Sequence, residues 1–242
     1  MQFGVASDKL VPADYDGDGR TDIAVYRPST GFWYVFNSAT GTASYTNFGI
    51  DEDLPTPADF DRDGQAELSV FRPSTGMWYR QIGSRGLISA VQFGMNGDRP
   101  FSGDMDGDGI ADIGVFRPST AIWYWTRSSD DTWTAEQYGI TTDVIAPADY
   151  DGDGRIDLAV YRPSTGIWYI KKSATGAYTA FPFGLPTDIP APADFDGDGK
   201  ADICVFRPTD GTWYRMNSSN GSFSAYPFGI NGDRPTQSAF RY

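Results

Sequence analysis

The sequence lacks residue types that several common functions require. It contains no histidine and a single cysteine, Cys204, among its 242 residues. Without histidine there is no Ser-His-Asp triad and no imidazole base, and one cysteine cannot form a disulfide within the chain. No stretch approaches the ~20 apolar residues of a membrane-spanning helix, and the N-terminal MQFGVASDKL has no apolar core of the signal-peptide type. We therefore expect no membrane insertion, and a secretion signal would have to lie outside this sequence.

An acidic loop is present instead, repeated five times at intervals of 45 residues without insertion or deletion. The copies read DYDGDGRTD, DFDRDGQAE, DMDGDGIAD, DYDGDGRID and DFDGDGKAD, at residues 14–22, 59–67, 104–112, 149–157 and 194–202. Carboxylates at loop positions 1, 3, 5 and 9 with glycine at position 6 suit Ca²⁺, which takes roughly six to eight oxygen ligands from a sharply turned backbone. The pattern predicts up to five calcium ions, one per repeat.

Each loop supplies four candidate carboxylate ligands. They are Asp14, Asp16, Asp18 and Asp22; Asp59, Asp61, Asp63 and Glu67; Asp104, Asp106, Asp108 and Asp112; Asp149, Asp151, Asp153 and Asp157; and Asp194, Asp196, Asp198 and Asp202. These 20 side chains belong to a total of 32 acidic residues, so five divalent ions would change the formal net charge from -13 to -3. The acidity therefore reflects local metal chemistry, and the uncompensated charge disfavours nucleic-acid partners.

The segments between the loops predict short β-strands. In the fourth copy, residues 145–148, 157–161, 167–171 and 178–183 are rich in strand-forming residues, and Pro and Gly mark the turn at 162–166. Four short antiparallel strands in 45 residues match one propeller blade. An EF-hand is disfavoured because valine, not glutamate, occupies loop position 12 in every copy. We expect an all-β, five-bladed β-propeller that forms a single domain over residues 1–242.

The two ends of the chain repeat parts of the unit. Terminal segments 1–12 and 230–242 overlap in repeat phase, and a sixth acidic loop is lost because Ala239 and Arg241 replace its first two aspartates. We expect one overlapping end to complete a shared blade and close the ring. The alternative is that the chain is a fragment of a longer array.

The loops, the Phe-Gly pairs and the blade length resemble the FG-GAP and VCBS-type repeats of integrin α-chain propellers and bacterial secreted proteins. The resemblance covers nearly the whole chain. It implies a fifth ligand, the backbone carbonyl at loop position 7, which belongs to Arg20, Gln65, Ile110, Arg155 and Lys200. Arg-Pro-Ser or Arg-Pro-Thr replaces the family's Gly-Ala-Pro, so integrin-type ligand binding is not implied. Arg62 and Glu67 depart from the loop pattern, and we expect a weaker site in the second blade.

A repeated Arg-Pro turn is expected on the face opposite the calcium loops. It carries Arg27, Arg72, Arg117, Arg162 and Arg207, and the topology brings it near a repeated aspartate at Asp8, Asp53, Asp98, Asp143, Asp188 and Asp233. The favoured interpretation is a set of ion pairs and turn caps that join neighbouring blades, and the alternative is a set of ligand pockets. The five Trp-Tyr pairs similarly suit a core between blades or, less favoured, sugar stacking.

These features favour a non-catalytic module. Nearly all chemical groups are repeated, and no unique pair of carboxylates is selected for catalysis. Extracellular calcium modules bind at about 10⁻⁴ to 10⁻³ M, which predicts an extracellular or cell-surface location. We expect a calcium-stabilised binding or scaffold module with a glycan or protein ligand on the face opposite the loops. Alternatives are a building block of a surface filament or adhesin, which could self-assemble, and an accessory domain of a larger carbohydrate-active enzyme.

Overall fold

The protein is an all-β, five-bladed β-propeller in which each 45-residue repeat forms one blade. A computed structural model describes residues 3–83 and 85–235, and no α-helix occurs among them. Consequently, no helix in this part of the chain is long and apolar enough to cross a membrane. The predicted fold class is confirmed.

Every blade is a four-stranded antiparallel sheet whose strands follow one another in chain order. The first contains β1 (Lys9–Leu10), β2 (Ile23–Arg27), β3 (Phe32–Phe36) and β4 (Ala43–Asn47). The second contains β5 (Leu54–Pro55), β6 (Ser69–Arg72), β7 (Met77–Ile82) and β8 (Leu87–Gln92). The third contains β9 (Arg99–Gly103), β10 (Asp112–Arg117), β11 (Ile122–Thr126) and β12 (Trp133–Gln137). The fourth contains β13 (Val144–Ile145), β14 (Leu158–Arg162), β15 (Ile167–Lys171) and β16 (Tyr178–Pro182), and the fifth contains β17 (Ile189–Pro190), β18 (Ile203–Arg207), β19 (Thr212–Met216) and β20 (Phe223–Pro227).

The strands of the fourth blade lie where the sequence predicts them. β15 matches its predicted bounds, and β14 and β16 differ from theirs by one residue. β13 is shorter than expected, because Pro147 has no amide hydrogen with which to extend the ladder. Pairing resumes as a single bridge between Ala148 and Asp157, which closes the base of the acidic loop.

The tryptophan of each third strand belongs to the core. Trp33, Trp78, Trp123 and Trp168 are completely buried, and Trp213 is half-buried. The Trp33 indole N–H donates to the Phe48 carbonyl over 2.8 Å, and three other tryptophans donate to the phenylalanine 15 residues later. Burial with a satisfied N–H is the arrangement expected of a structural tryptophan. The core interpretation of the tryptophans is therefore confirmed for the four buried ones.

The described residues group into two compact units. In the unit formed by residues 3–117 and 123–135, Val70 of the second blade packs with Tyr26 and Trp33 of the first, so side chains of neighbouring blades share one core. In the unit formed by residues 118–122 and 136–235, Cys204 is 1% exposed, and burial raises the pKa of its thiol to about 12. Cys204 therefore fills the core as a small side chain.

Only part of the terminal overlap lies within the described chain. The segment 1–12 contains β1, the first strand of the first blade. Residues 1–2 and 236–242 lie outside the described residues, and with them the positions of Ala239 and Arg241. Closure of the ring by the two ends therefore stays a prediction.

Candidate metal centres

The first aspartate of each acidic loop organises the loop backbone. Each loop connects the first and second strands of its blade, and in the first blade Asp14 accepts the N–H groups of Gly17 and Gly19, each over 2.7 Å. Both glycines have positive φ angles, 76° and 79°, which only glycine adopts without strain. The same pair of bonds recurs at Asp59, Asp104, Asp149 and Asp194.

The ninth residue of the loop ties it to the turn between the third and fourth strands. Asp22 is 1% exposed and accepts the N–H of Tyr15 and that of Ser38, while the Ser38 hydroxyl donates to Asp18. The same three contacts form in the third, fourth and fifth blades, with Ser128, Ser173 and Ser218 in place of Ser38. Sequence reasoning assigned these aspartates to the metal alone and missed this second role.

Carboxylate oxygens of every loop converge, with all ligand atoms of a group within 4.8 Å of one another. Positions 1, 3 and 5 meet in the first, third and fifth blades, and positions 1, 3 and 9 meet in the fourth. In the second blade all four predicted carboxylates meet: Asp59, Asp61, Asp63 and Glu67. The longer glutamate thus brings a fourth oxygen into the group. The weaker affinity expected of this loop, and the role of the five position-7 carbonyls, stay predictions.

Four of the predicted carboxylate ligands lie outside these groups: Asp22, Asp112, Asp202 and Asp153. Asp22, Asp112 and Asp202 are engaged by backbone N–H groups at both carboxylate oxygens. In the fourth blade, Asp153 accepts two hydrogen bonds from the Arg155 guanidinium, over 2.7 and 2.9 Å. A neighbouring cation therefore competes for one candidate ligand there.

The chemistry of these groups fits a hard cation. In these five groups every side-chain ligand atom is a carboxylate oxygen, with no nitrogen or sulfur among them, as Ca²⁺ prefers. Both carboxylate oxygens of Asp151 and one of Asp196 are buried without a hydrogen-bond partner. Buried charged oxygens without partners are costly, so an ion bound here would satisfy atoms that the protein leaves unsatisfied.

Burial makes the ionised carboxylates unfavourable when no ion is bound. It raises the pKa of Glu67 to about 8, that of Asp112 to about 7 and that of Asp157 to about 6. Neighbouring loop aspartates contribute in the same direction in all three cases. A divalent cation would reverse both effects, because it favours the charged form.

Adjacent loops are joined directly through their backbones. The N–H of Ala66, at position 8 of the second loop, donates over 2.6 Å to the carbonyl of Asp14, at position 1 of the first. Ala111 donates to Asp59, and Ala201 to Asp149, in the same way. Sequence reasoning missed these bonds, since every residue carries a backbone N–H and carbonyl whatever its side chain. They connect a predicted metal ligand of one blade to the residue beside a ligand of the next.

The arginines of the Arg-Pro turns form ion pairs with the repeated aspartates. The pairs are Arg27–Asp8, Arg72–Asp53, Arg117–Asp98, Arg162–Asp143 and Arg207–Asp188, with nitrogen–oxygen distances of 2.8–2.9 Å. Each guanidinium also lies 4.1–4.6 Å from the centre of a tyrosine ring. Arginine and aspartate belong to one blade, and in the second to fifth blades the turn that carries the aspartate follows the last strand of the preceding blade. This arrangement fits the structural interpretation, and a ligand role for the arginines stays a prediction.

The aspartate of each pair also caps its turn. Asp53 accepts the N–H of Ile50, and five other turns contain the same bond. The apolar side chain that follows Phe-Gly, or Tyr138-Gly139 in the third repeat, remains exposed, for example 46% at Ile50 and 50% at Met95. Five of these six turns therefore combine a satisfied ion pair with an exposed apolar residue.

The family model for the FG-GAP-like repeat matches residues 14–70, 104–160 and 149–205, which together exceed half of the chain. No curated protein matches the chain. A solved lectin of Agrocybe aegerita that recognises non-reducing terminal N-acetylglucosamine matches with a TM-score of 0.60 and 20% identity, covering 91% of this chain and 66% of the lectin.

Two further solved structures share the fold. Virginiamycin B lyase of Staphylococcus aureus matches with a TM-score of 0.61 and 9% identity, over 99% of this chain and 76% of the lyase. An auxiliary nutrient-binding protein of Bacteroides ovatus matches with a TM-score of 0.61 and 9% identity, over 91% of this chain and 57% of that protein. Binding proteins and an enzyme thus share this architecture, and at such identities the likeness is one of fold alone.

Proposed function

We propose that this chain, which belongs to the family of FG-GAP-like repeat proteins, is a calcium-stabilised, non-catalytic extracellular binding or scaffold module. The observation that carries the proposal is the convergence of carboxylate oxygens in all five loops, together with the buried, partnerless oxygens of Asp151. The chain would hold each ion with the loop carboxylates, and the ion would supply positive charge where like charges otherwise repel. At about 4 Å and an effective dielectric of about 20, each such pair of carboxylates repels by roughly 4 kcal/mol.

The position of the loops suggests how calcium would stabilise the blade. The loop joins the first two strands, and its ninth residue binds the turn between the third and fourth. An ordered loop therefore connects the first two strands of a blade to its last two strands. Backbone bonds such as Ala66 to Asp14 extend this order to the next loop. An extracellular location fits this role, because weak calcium sites of the extracellular type fill at about 10⁻⁴ to 10⁻³ M.

The ligand surface that we propose is the face of the Arg-Pro turns. Its repeated exposed apolar residues, such as Ile50 and Met95, stand beside charge pairs that are already satisfied. Repetition suits a glycan or a protein ligand bound weakly at several equivalent sites, since multivalency raises avidity by about 10² to 10⁴. The lectin and the nutrient-binding protein with the same fold support a binding role by analogy. A filament or adhesin building block, or an accessory domain of a larger carbohydrate-active enzyme, remains the alternative proposal.

Metal content and ligand binding test the proposal separately. Calorimetric titration of the metal-free protein with calcium should show binding of up to five ions per chain at about 10⁻⁴ to 10⁻³ M. A chain that shows no heat of binding at millimolar calcium would contradict the calcium site. A glycan array probed in calcium with no positive spots would count against a lectin role. Sedimentation with and without calcium would then distinguish a self-assembling building block from a monomeric binder.

A further inference from the structure

Arg62, at position 4 of the second acidic loop, has a backbone conformation that only glycine adopts without strain. Its φ angle is 64°, and glycine occupies this position in the other four loops. The Arg62 N–H donates to Asp59 over 2.6 Å, as the equivalent glycines do in their own loops. The loop therefore imposes a left-handed conformation on a residue that carries a long side chain. Strained residues of this kind cluster at functional sites, so the position of that side chain is informative.

The Arg62 side chain lies across the third acidic loop. A Cβ atom placed on Gly109, at position 6 of that loop, would lie 2.9 Å from Nε and 3.1 Å from Cζ of Arg62. The same atom placed on the position-6 glycine of any other loop would meet nothing within 4 Å: Gly19, Gly64, Gly154 and Gly199. Arg62 therefore covers the turn of the third loop, and the side chain fits there because residue 109 is glycine.

The third loop is shielded from solvent at the place where Arg62 covers it. Asp108 and Gly109, at positions 5 and 6, are half-buried, whereas both positions are exposed in the other four loops. Asp108 belongs to the group of converging carboxylates in this loop. The backbone also joins the two loops, since the Ala111 N–H donates to the Asp59 carbonyl over 2.8 Å. The second loop therefore contacts the third through both its backbone and a charged side chain.

The guanidinium of Arg62 carries a positive charge that no single carboxylate neutralises. Within the described part of the chain, its side chain forms neither an ion pair nor a hydrogen bond. Arginine is ionised at any pH that a folded protein meets, so this charge is permanent. Beside converging carboxylates, a permanent positive charge favours their ionised form in the metal-free loop. It also opposes the entry of a divalent cation, because like charges repel and salt screens a half-buried site less than an exposed one.

We propose that Arg62 acts as a fixed cation at the third loop, where it stabilises the metal-free loop and lowers the affinity of that loop for calcium. The inference rests on the proposed calcium function and deepens it, because it names a residue of one blade that controls the metal site of the next. It also differs from the expectation drawn from the sequence, in which Arg62 weakens the site of its own loop. The third loop accordingly fills at a higher calcium concentration than it would without Arg62.

The experiment follows each loop separately by NMR with isotope-labelled glycine. The position-6 glycine of every loop donates its N–H to the first aspartate of the same loop, so its amide resonance reports on that loop. Titration of the metal-free protein with calcium then gives a midpoint for each loop, and amide exchange in excess EGTA gives the protection of each loop without metal.

The test variant is Arg62→Gln, which removes the charge and keeps a non-glycine residue in the left-handed conformation. Two variants serve as controls. Arg62→Lys retains the charge at the same position, and Arg85→Gln removes an exposed arginine of the same blade outside its acidic loop. A change that follows the loss of charge at residue 62 alone is therefore separated from strain and from net charge.

In Arg62→Gln, the calcium midpoint of Gly109 should fall about tenfold, and the Gly109 amide should exchange severalfold faster in EGTA. The midpoints of the first, fourth and fifth loops should stay at their parental values, and both controls should leave Gly109 unchanged. A Gly109 midpoint that does not fall in Arg62→Gln would overturn the proposal. A shift confined to Gly64, which reports on the loop that contains Arg62, would overturn it as well.

A calcium response at none of the five glycines would contradict the proposed function, and the claim about affinity with it. Exchange in EGTA would then decide the remaining claim by itself. Faster exchange at Gly109 in Arg62→Gln would support a stabilising role for Arg62 in the metal-free loop, and unchanged exchange would overturn that role.

Discussion

At the scale of single residues, the loop aspartates divide into those that shape the backbone and those that lack a partner. Asp14 accepts two backbone N–H groups, and its equivalents do the same in every loop. Asp151, by contrast, has two buried oxygens with no partner. The first kind holds the loop in shape, and the second leaves its charge uncompensated until a cation binds.

Replacement of Asp151 by asparagine should therefore change stability in opposite directions with and without calcium. In excess EGTA, Asp151→Asn removes a buried charge and should raise the melting temperature. In calcium it weakens one site, and the loss approaches about 2.7 kcal/mol if that site was filled at about 100 times its dissociation constant. Thermal melts in both buffers measure the two signs. A variant that is destabilised equally in both buffers would show that Asp151 acts without an ion.

The buried carboxylates also predict an unusual pH dependence for the metal-free protein. The folded pKa values of Glu67, Asp112 and Asp157, about 8, 7 and 6, lie above those of the unfolded chain. Stability from these groups is therefore fully present below about pH 4 and is lost as the pH rises through about 6 to 8. Urea midpoints in EGTA should be higher at pH 5 than at pH 8.

Calcium should reverse that order, because protons compete with the ion for the same carboxylates. The urea midpoint in saturating calcium should thus be higher at pH 8 than at pH 5. Two midpoints that rise in parallel with pH, with and without calcium, would contradict the assignment of these carboxylates to a cation site.

At the scale of the strands and loops, most of the fold could be predicted from the repeat. β15 lies at its predicted bounds because Arg-Pro-Ser-Thr-Gly and Ser-Ala-Thr-Gly mark both of its ends. The bonds between loops could not be predicted, since they join backbone groups. The departure of the second blade could have been found by aligning the repeats, where Gly83 replaces serine in the same blade in which Glu67 replaces aspartate.

The bond from Ala66 to Asp14 predicts that neighbouring loops are energetically coupled. Ala66→Pro removes the donor and leaves the Asp14 carbonyl unpaired, which should cost about 1–3 kcal/mol and weaken calcium binding in the first loop. Thr21→Pro is the matched control, because Thr21 occupies the same loop position and its N–H has no partner among the described residues. Calcium titration calorimetry and urea unfolding measure both effects. Equal losses in the two variants would contradict the coupling.

At the scale of the whole molecule, the account depends on the energy that five ions contribute. Each filled site stabilises the fold by about 2.7 kcal/mol at 100 times its dissociation constant, so five independent sites contribute on the order of 13 kcal/mol. Typical domains have a total stability of about 5–15 kcal/mol. The formal net charge of -13 in a chain of 242 residues is therefore an indication of how strongly this fold depends on cations.

The melting temperature in calcium and in excess EGTA tests this dependence most directly. For a chain of this size, each kcal/mol shifts the melting temperature by roughly 2–4 °C, so removal of even two ions should lower it by about 10 °C or more. Magnesium at the same ionic strength is the control, since it should restore little of the loss. A melting curve that is unchanged by EGTA would contradict the calcium-stabilised propeller.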